Sequence, residues 1–555
     1  MWGAGSNSLE SSKFAEAELV PVTEGSMSII DTRDGDTPPG WKAASRMKGN
    51  LREPGGPIGS IERSTMGAPC KGQPKRGAEP RSGVGPAHST KEAPEGNEGV
   101  EGRGRPEGNP LEKAGVRTQS RFALPLNLWR VYAAAKRNKQ AQFTALMHHV
   151  DAAALERAFR RLKRKASAGV DGETVVTYEQ KLQVNLKDLC ERVHTGRYRS
   201  LPVRRVYIPK ADGGQRPLGV PALEDKIVQG AVAEVLSAIY EVDFLGFSYG
   251  FRPGRNPHQA LAAIHTAVMT QCVNWVLDAD IRKFFDSVDH EWLLRMIAHR
   301  IADPRALRLI RMWLKAGVLE GGEWHETVEG TPQGAGISPL LANIFLHYVL
   351  DLWVHHHWRK RKARGRVIIV RYADDFVMGF QYADDARRMM LDLGERMAKF
   401  GLKLHEEKTR LIEFGRLPTL DHARRGERRP ETFAFLGFTH YCGRTRDGRF
   451  VVKRKTQSKR LTVKLKALRV EARRRMHAPV SEQHNWLCQV LRGHYAYYGL
   501  SSNFPCLKGF LQQVRYLWFC ALRRRSQRCI TWDAFGQLLK RFPLPTPRIT
   551  HPCAS

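Results

Sequence analysis

The 555-residue chain reads as an α+β domain followed by an α-helical one. Three observations carry that reading. From about residue 201, strand-like and helix-like patterns mix. After about 452, the pattern becomes helical and very basic. Before about 119, periodic apolar positions are few.

Residues 1–118 are rich in Gly, Pro, Ser, Arg and Glu, as in GNEGVEGRGRPEGNPLEKAG, the composition of a disordered extension. Met27, Met47 and Met66 offer alternative starts downstream of Met1. MWGAGSNSLESSKF lacks the basic start and apolar core of a secretory signal. Order is expected from near Leu124. LWRVYAAAKRNKQAQFTALMHHVDAAALERAFRRLKRK reads as two helices with basic faces, and KASAGVDGET as a Gly-rich turn before another helix. LPVRRVYIPK and WVLDADI read as strands; DKIVQGAVAEVLSAIYE and HEWLLRMIAHRI read as helices. From KRLTVKLKALRVEARRRM to LRGHYAYYGL the pattern is helical. There is no internal repeat.

Lys and Arg number 90 against 56 Asp and Glu, a formal net charge of +34. Such a charge points to a polyanion. Nucleic acid comes first, because each neutralised phosphate releases counterions. An acidic membrane surface is the weaker candidate, since no stretch is long and apolar enough to span a bilayer and no lipidation signal is evident. The 9 cysteines are scattered without CxxC spacing. A zinc site, redox motif or disulfide framework is not expected, and a reducing, cytoplasmic setting is.

In VIIVRYADDFVMGF, two apolar runs flank a short polar centre. That is a β-hairpin with Asp374 and Asp375 at its tip. Adjacent carboxylates repel, and burying them unpaired is costly. A divalent cation among them removes both penalties, and oxygen ligands suit Mg²⁺. A solvent-exposed turn fits this hairpin alone equally well. WVLDADIRKFFDSVDHEWLL also ends an apolar strand in acids, with Asp278 and Asp280 on one face. If this strand lies beside the hairpin, Asp280 and Asp374 can share metals. Asp289 stands where a helix cap belongs. TPQGAGISPLLANIFL places Gly334, Ala335 and Gly336 before an apolar helix, and VYIPKADGGQRPLGVP flanks a Gly-Gly turn with Lys210 and Arg216. An ordinary turn explains the first and solvated cations the second.

Taken in order, YADD at 372–375, Asp280–Ile281 with FFD behind, PQG with SPLLANIFL, and IPK followed by RPLGVP resemble the reverse transcriptase of a group II intron. The similarity runs from about 120 to 545. KASAGVDGET resembles the element before the fingers, GLKLHEEKTRLIEF and FAFLGFTHY the last palm motifs, and LRGHYAYYGL the thumb or maturase domain. This last match separates the chain from retron enzymes, which share YADD.

The resemblance implies a right-hand polymerase. The expected division is an N-terminal element and fingers (119–275), a palm with an antiparallel sheet (276–445), an α-helical thumb/maturase domain (452–545) and a tail (546–555). It implies Asp280, Asp374 and Asp375 as catalytic carboxylates, with the Ile281 carbonyl as a further metal ligand. Two Mg²⁺ ions are the expected cofactor, with Mn²⁺ as a substitute. Phe285 would lie under the sugar of the incoming nucleotide and exclude a 2′-hydroxyl. Lys210 and Arg216 would hold its triphosphate, Gln333 would line the nucleotide and template pocket, and Lys408 would lie near the active site. Leu436, Gly437 and Phe438 would grip the primer end. Implied partners are the intron RNA, an RNA template, a DNA primer or target, and deoxynucleoside triphosphates, with no membrane. No C-terminal endonuclease is expected, because Cys506, Cys520, Cys529 and Cys553 lack zinc spacing.

Other features read more blandly. Consecutive His355, His356 and His357 on a helix cannot converge on one ion. RKRKARGR at 359–366 reads as a solvated loop. Tyr495, Tyr497, Tyr498 and His494 read as core. Two rival functions stand beside the polymerase. One is a splicing cofactor with an idle polymerase site. The other is a domesticated reverse transcriptase in defence or repair.

Overall fold

The computed structural model describes residues 124–551, except 210–213, 328, 332–333, 428–429, 526 and 528. The expectations for residues 1–118, Lys210 and Gln333 therefore lie outside the described residues.

The N-terminal part is helical. Leu126–Arg137 and Ala152–Arg161 form the two expected helices, each with cations in its last turn. Asp151 caps the second by accepting from the Ala154 N–H at 2.7 Å. KASAGVDGET leads into a short helix, Val175–Glu179, opened by a capping box at Thr174. The long helix Leu223–Asp243 packs against both of the first two helices and is buried along most of its length.

The described strands are β1 (Val203–Pro209), β2 (Gln215–Val220), β3 (Trp275–Ala279), β4 (Val318–Glu320), β5 (Glu323–His325), β6 (Val367–Tyr372), β7 (Asp375–Phe380), β8 (Arg410–Glu413), β9 (Phe433–Phe435), β10 (Phe438–Arg444) and β11 (Phe450–Thr456). They make three sheets, ordered β2-β1-β4-β5, β6-β7-β3-β8 and β11-β10-β9. The central sheet is antiparallel throughout, as the palm expectation required.

Both faces of that sheet are covered. Leu277, Ala279, Ile369, Phe376, Met378 and Phe380 pack into the core shared with the N-terminal helices. Val276, Ile368, Val370, Val377 and Ile412 pack into a second core with the C-terminal helices. Strand alternation sends neighbouring residues to opposite cores, so the apolar runs are nearly continuous. Each fully buried Phe or Met here contributes about 1.5–3 kcal/mol.

Beyond β11 the chain is helical, through Ser458–Arg474, Val480–Tyr498, Phe504–Arg523 and Trp532–Arg541. Leu507, Phe510, Leu511, Val514, Leu517 and Trp518 make the apolar stripe of the third. Tyr495, Tyr498 and His494 are buried in this core, as read; Tyr497 is only partly covered.

Two boundaries differ from expectation. The strand β11 reaches Thr456, so the helical part begins later than 452. Lys453 and Lys455 alternate with the buried Val452, Arg454 and Thr456, and outward cations on a strand resemble the start of a basic helix. The helix Ser338–Leu346 continues in π-helical turns over His347–Asp351 and Trp353–Lys362. Arg359–Lys362 therefore ends a helix rather than forming a loop, held by the buried Val354 and Trp358 on its inner side. His355 is partly covered on this helix, while His356 and His357 are exposed.

Candidate active site

Strands β6 and β7 pair from Val367↔Phe380 to Tyr372↔Asp375, leaving Ala373 and Asp374 as a two-residue turn. Ala373 has φ +58°, and Asp374 is not among the positive-φ residues, the pattern of a type II′ turn. Glycine is the usual residue there; alanine costs about 1–2 kcal/mol. Such strain persists only where surrounding structure holds it.

The holding structure is a buried network around Arg371. This residue and Asp351 are both fully buried, and Nη2 of Arg371 lies 2.5 Å from Asp351 Oδ2. Arg371 also donates to Asn343 Oδ1 at 2.9 Å, to Ser248 Oγ at 2.8 Å and to the Ala373 carbonyl at 3.0 Å. The last bond reaches the turn itself. Asn343 in turn donates to the Gly250 carbonyl at 2.7 Å. Gly250 lies so close that a Cβ there would sit 2.2 Å from the Ala373 nitrogen. None of these residues was singled out from sequence. A signal was present: Arg371 is a lone cation inside VIIVRYADD, and a buried cation requires partners.

Strand β3 lies next to β7, with Ala279 opposite Phe376. Continuing that register by one residue sets Asp280 opposite Asp375. The expected convergence of the two acidic segments is therefore met at the strand ends. Asp278 and Asp280 share the face of Val276, and Asp375 the face of Val377, which is the face toward the C-terminal helices.

The electrostatics follow. Water still reaches the Asp375 side chain, yet protein crowds it. Loss of bulk water, then the charges of Asp374 and Asp280, push its carboxyl up to about 7, against a pull from Arg460. Asp374 is pushed up chiefly by burial, and Arg216 draws it back. Asp278 is pushed up to about 6 by burial, with Arg410 opposing. Burial is the leading cause for all three, and the neighbouring arginines offset it only in part.

Asp280 has one direct cation partner. The Lys408 ammonium donates to its Oδ2 at 2.6 Å. The Asp280 backbone carbonyl accepts from the His405 N–H at 2.8 Å, and Arg282 N–H donates to the Lys403 carbonyl at 2.8 Å. These two bonds flank the Ile281↔Leu404 bridge, and neither uses the Ile281 carbonyl. Among the described residues, no three or more His, Cys, Asp or Glu side chains form a ready-made metal-binding group. The donor set nevertheless suits a hard divalent cation: carboxylate oxygens and a backbone carbonyl. A cation would offset both the loss of bulk water and the repulsion that raise Asp375.

The other expected residues fall around this corner. Phe285 is buried in a short 3₁₀ turn behind Asp280, edge-on to Phe284 at 5.4 Å. Asp289 caps the helix His290–Ala298 by accepting from Trp292 N–H at 2.7 Å. Strands β1 and β2 form the expected hairpin, and Arg216 near its tip is close enough to influence Asp374. Gly334, at φ +121°, presses on that hairpin: a Cβ would lie 2.5 Å from the Gly219 carbonyl. Leu436 and Gly437 form the turn between β9 and β10, with φ +49° and +81°. Positive φ at both positions is the type I′ pattern, and a bulky Leu there is an outlier. Its carbonyl accepts from the Tyr497 hydroxyl at 2.8 Å. Phe438 is fully buried and helps anchor this turn rather than face solvent. No helix among the described residues is long and apolar enough to cross a membrane.

Residues 208–440 match the family of reverse transcriptases, RNA-dependent DNA polymerases. The chain is 38% identical over 239 residues to the protein YkfC of Escherichia coli, covering 38% of this chain and 62% of that protein. It is 39% identical over 200 residues to the group II intron-encoded protein LtrA of Lactococcus lactis, covering 35% of this chain and 33% of LtrA. A 91 kDa protein in the cob intron of Schizosaccharomyces pombe is 44% identical over 146 residues, covering 26% of this chain and 18% of its own. Each match thus spans less than two thirds of the relative. The matched domain is the one whose central sheet brings Asp280 beside Asp374 and Asp375, so residues 208–440 are similar to a reverse transcriptase domain.

Proposed function

We propose that the chain is an RNA-directed DNA polymerase that copies intron RNA into DNA, and that it also serves as a maturase in group II intron splicing and mobility. The observation that carries this is the meeting of Asp280 with the Asp374–Asp375 hairpin on adjacent strands. The relatives' names support the intron RNA as partner.

In the proposed reaction, the primer 3′-hydroxyl attacks the α-phosphate of a deoxynucleoside triphosphate. A new P–O bond forms, the bond to the β-phosphate breaks, pyrophosphate leaves, and the hydroxyl proton passes to solvent. When bound, two Mg²⁺ ions, or Mn²⁺ in their place, would stabilise the attacking and leaving oxygens. Asp280, Asp374, Asp375 and the Ile281 carbonyl would hold them. Lys210 and Arg216 would bind the triphosphate, and Gln333 would line the template pocket. Phe285 would stack beneath the sugar and leave no room for a 2′-hydroxyl. Lys408 would exchange Asp280 for phosphate charge as the site fills. Leu436 and Gly437 would hold the primer end, with the buried Phe438 anchoring their turn from the core.

The test is deoxynucleotide incorporation on a DNA primer annealed to RNA, with Mg²⁺, alongside splicing of the intron. The Asp374→Ala/Asp375→Ala variant is expected to lose synthesis and keep splicing. A wild-type chain that promotes splicing but makes no DNA overturns the polymerase reading and leaves an RNA-binding splicing factor.

A further inference from the structure

After the helix Trp532–Arg541, residues 543–551 lie along the helix Val480–Tyr498. Leu544 is buried in the C-terminal core. The Pro543 carbonyl lies 3.0 Å from Nε2 of His484, and the Pro545 carbonyl accepts from the Tyr495 hydroxyl at 3.2 Å. The segment then meets the end of that same helix. Thr550 donates its hydroxyl to the Tyr495 carbonyl at 2.9 Å, and Nε2 of His551 lies 2.9 Å from the Ala496 carbonyl. The N–H groups of Thr550 and His551 both donate to the Gly499 carbonyl, at 2.9 and 3.0 Å. A helix leaves its last carbonyls without intrahelical partners. Here a segment 55 residues further along the chain supplies them. The fit is close, since a Cβ on Gly499 would sit 2.3 Å from Thr550 Oγ1.

Tyr497 stands in the helical turn that is capped in this way. Its hydroxyl holds the Leu436 carbonyl at 2.8 Å, and Leu436 is the non-glycine residue at φ +49°. A second support comes from the helix Pro257–Thr270. The His551 ring stacks on His258 in the first turn of that helix, with centroids 3.4 Å apart and planes 18° apart. His258 in turn lies against the Tyr497 ring, at 5.3 Å. Tyr497 is thus fixed twice by the same segment, through the capped carbonyls of its own helix and through the ring that His551 backs.

We propose that residues 543–551 form a clasp, in which Thr550 and His551 are positioning residues that fix Tyr497 and, through its hydroxyl, the conformation of the Leu436–Gly437 turn. The consequence for primer use rests on the polymerase reading; the clasp itself does not. Both positioning residues lie outside the matched domain, which ends at 440.

The experiment uses the full chain with Thr550→Val, Thr550→Ser, His551→Ala, Tyr497→Phe and the double variant Thr550→Val/Tyr497→Phe. Hydrogen exchange is followed at the amides of 436–438 and at Gln457, whose N–H donates to the Gly437 carbonyl at 3.0 Å. Single-nucleotide extension of a DNA primer annealed to RNA gives KM for primer and for nucleotide separately. Thr550→Val and His551→Ala are expected to speed exchange at these amides roughly fivefold and to raise the primer KM by a similar factor, with the nucleotide KM unchanged. Thr550→Ser keeps the hydroxyl and should behave as wild type. The double variant should match Tyr497→Phe alone, because the clasp acts through that hydroxyl. Unaltered exchange in Thr550→Val overturns the proposal, and so do additive effects in the double variant. If His551→Ala does not fold, Thr550→Val decides, since it only replaces a hydroxyl by a methyl group. Faster exchange with an unchanged primer KM keeps the clasp and overturns the primer role of the turn. A wild-type chain that makes no DNA removes the polymerase reading, and exchange still decides the clasp.

Discussion

Arg371 has the most demanding side-chain environment around the site. It is a full charge with no exposed surface, four neighbours accept its hydrogen bonds, and one of these is the turn that carries Asp374. A buried pair of this kind adds little net stability over apolar residues, but removing one member leaves the other charge stranded. Arg371→Ala is expected to lower unfolding free energy by about 3–5 kcal/mol in denaturant titration, with Asp351 left unpaired. The double variant Arg371→Met/Asp351→Leu should recover much of that stability. It should not recover DNA synthesis, because the Ala373 carbonyl loses its donor. Equal recovery of both would show that the pair is packing alone.

The elements around the site are hairpins whose tips are held under strain by neighbours. Ala373 and Leu436 both sit at positive φ without being glycine, at +58° and +49°. Each is tied down by a bond to its own carbonyl, from Arg371 and Tyr497 respectively. Gly250 meets the first tip from the side. Gly250→Ala forces a Cβ to within 2.2 Å of the Ala373 nitrogen unless the tip moves. Reactive geometry tolerates little displacement, and a shift near 1 Å can cost on the order of a hundredfold. Primer extension by Gly250→Ala is therefore expected to fall at least about tenfold. Splicing should be unaffected if the RNA-binding surface is separate. Wild-type extension rates in this variant would show that the tip is not held from this side.

Across the whole molecule, Asp280, Asp374 and Asp375 share one corner while the net charge is +34. In the proposed reaction the carboxylates would hold metal ions while the cations bind phosphates, so the two charges would serve different parts of one substrate. Binding to intron RNA should accordingly be steeply salt-dependent. With six to ten phosphate contacts, affinity is expected to drop by about 10³–10⁵ between roughly 50 and 200 mM salt, measured by filter binding. A shallow dependence would mean that most of these cations face solvent.

Much of this plan was legible along the chain. VIIVRYADDFVMGF reads as a hairpin, because two apolar runs flank a short polar centre, and β6 and β7 pair accordingly. WVLDADI announced its strand and the face of Asp278 and Asp280 through simple alternation. The same local rules misread β11, where outward Lys453 and Lys455 mimic a helix, and Arg359–Lys362, where a buried Val354 and Trp358 keep the backbone helical. What local pattern could not reach were contacts between distant segments. Arg371 meets Ser248 across 123 residues and Lys408 meets Asp280 across 128. Arg460 comes over the Gly437 turn only because Gln457 is bonded to it. Residue types and their periodicity determine which strands form and which acids they carry. Which cations close around those acids depends on the packing of two cores on opposite faces of one sheet, and that is a property of the folded chain.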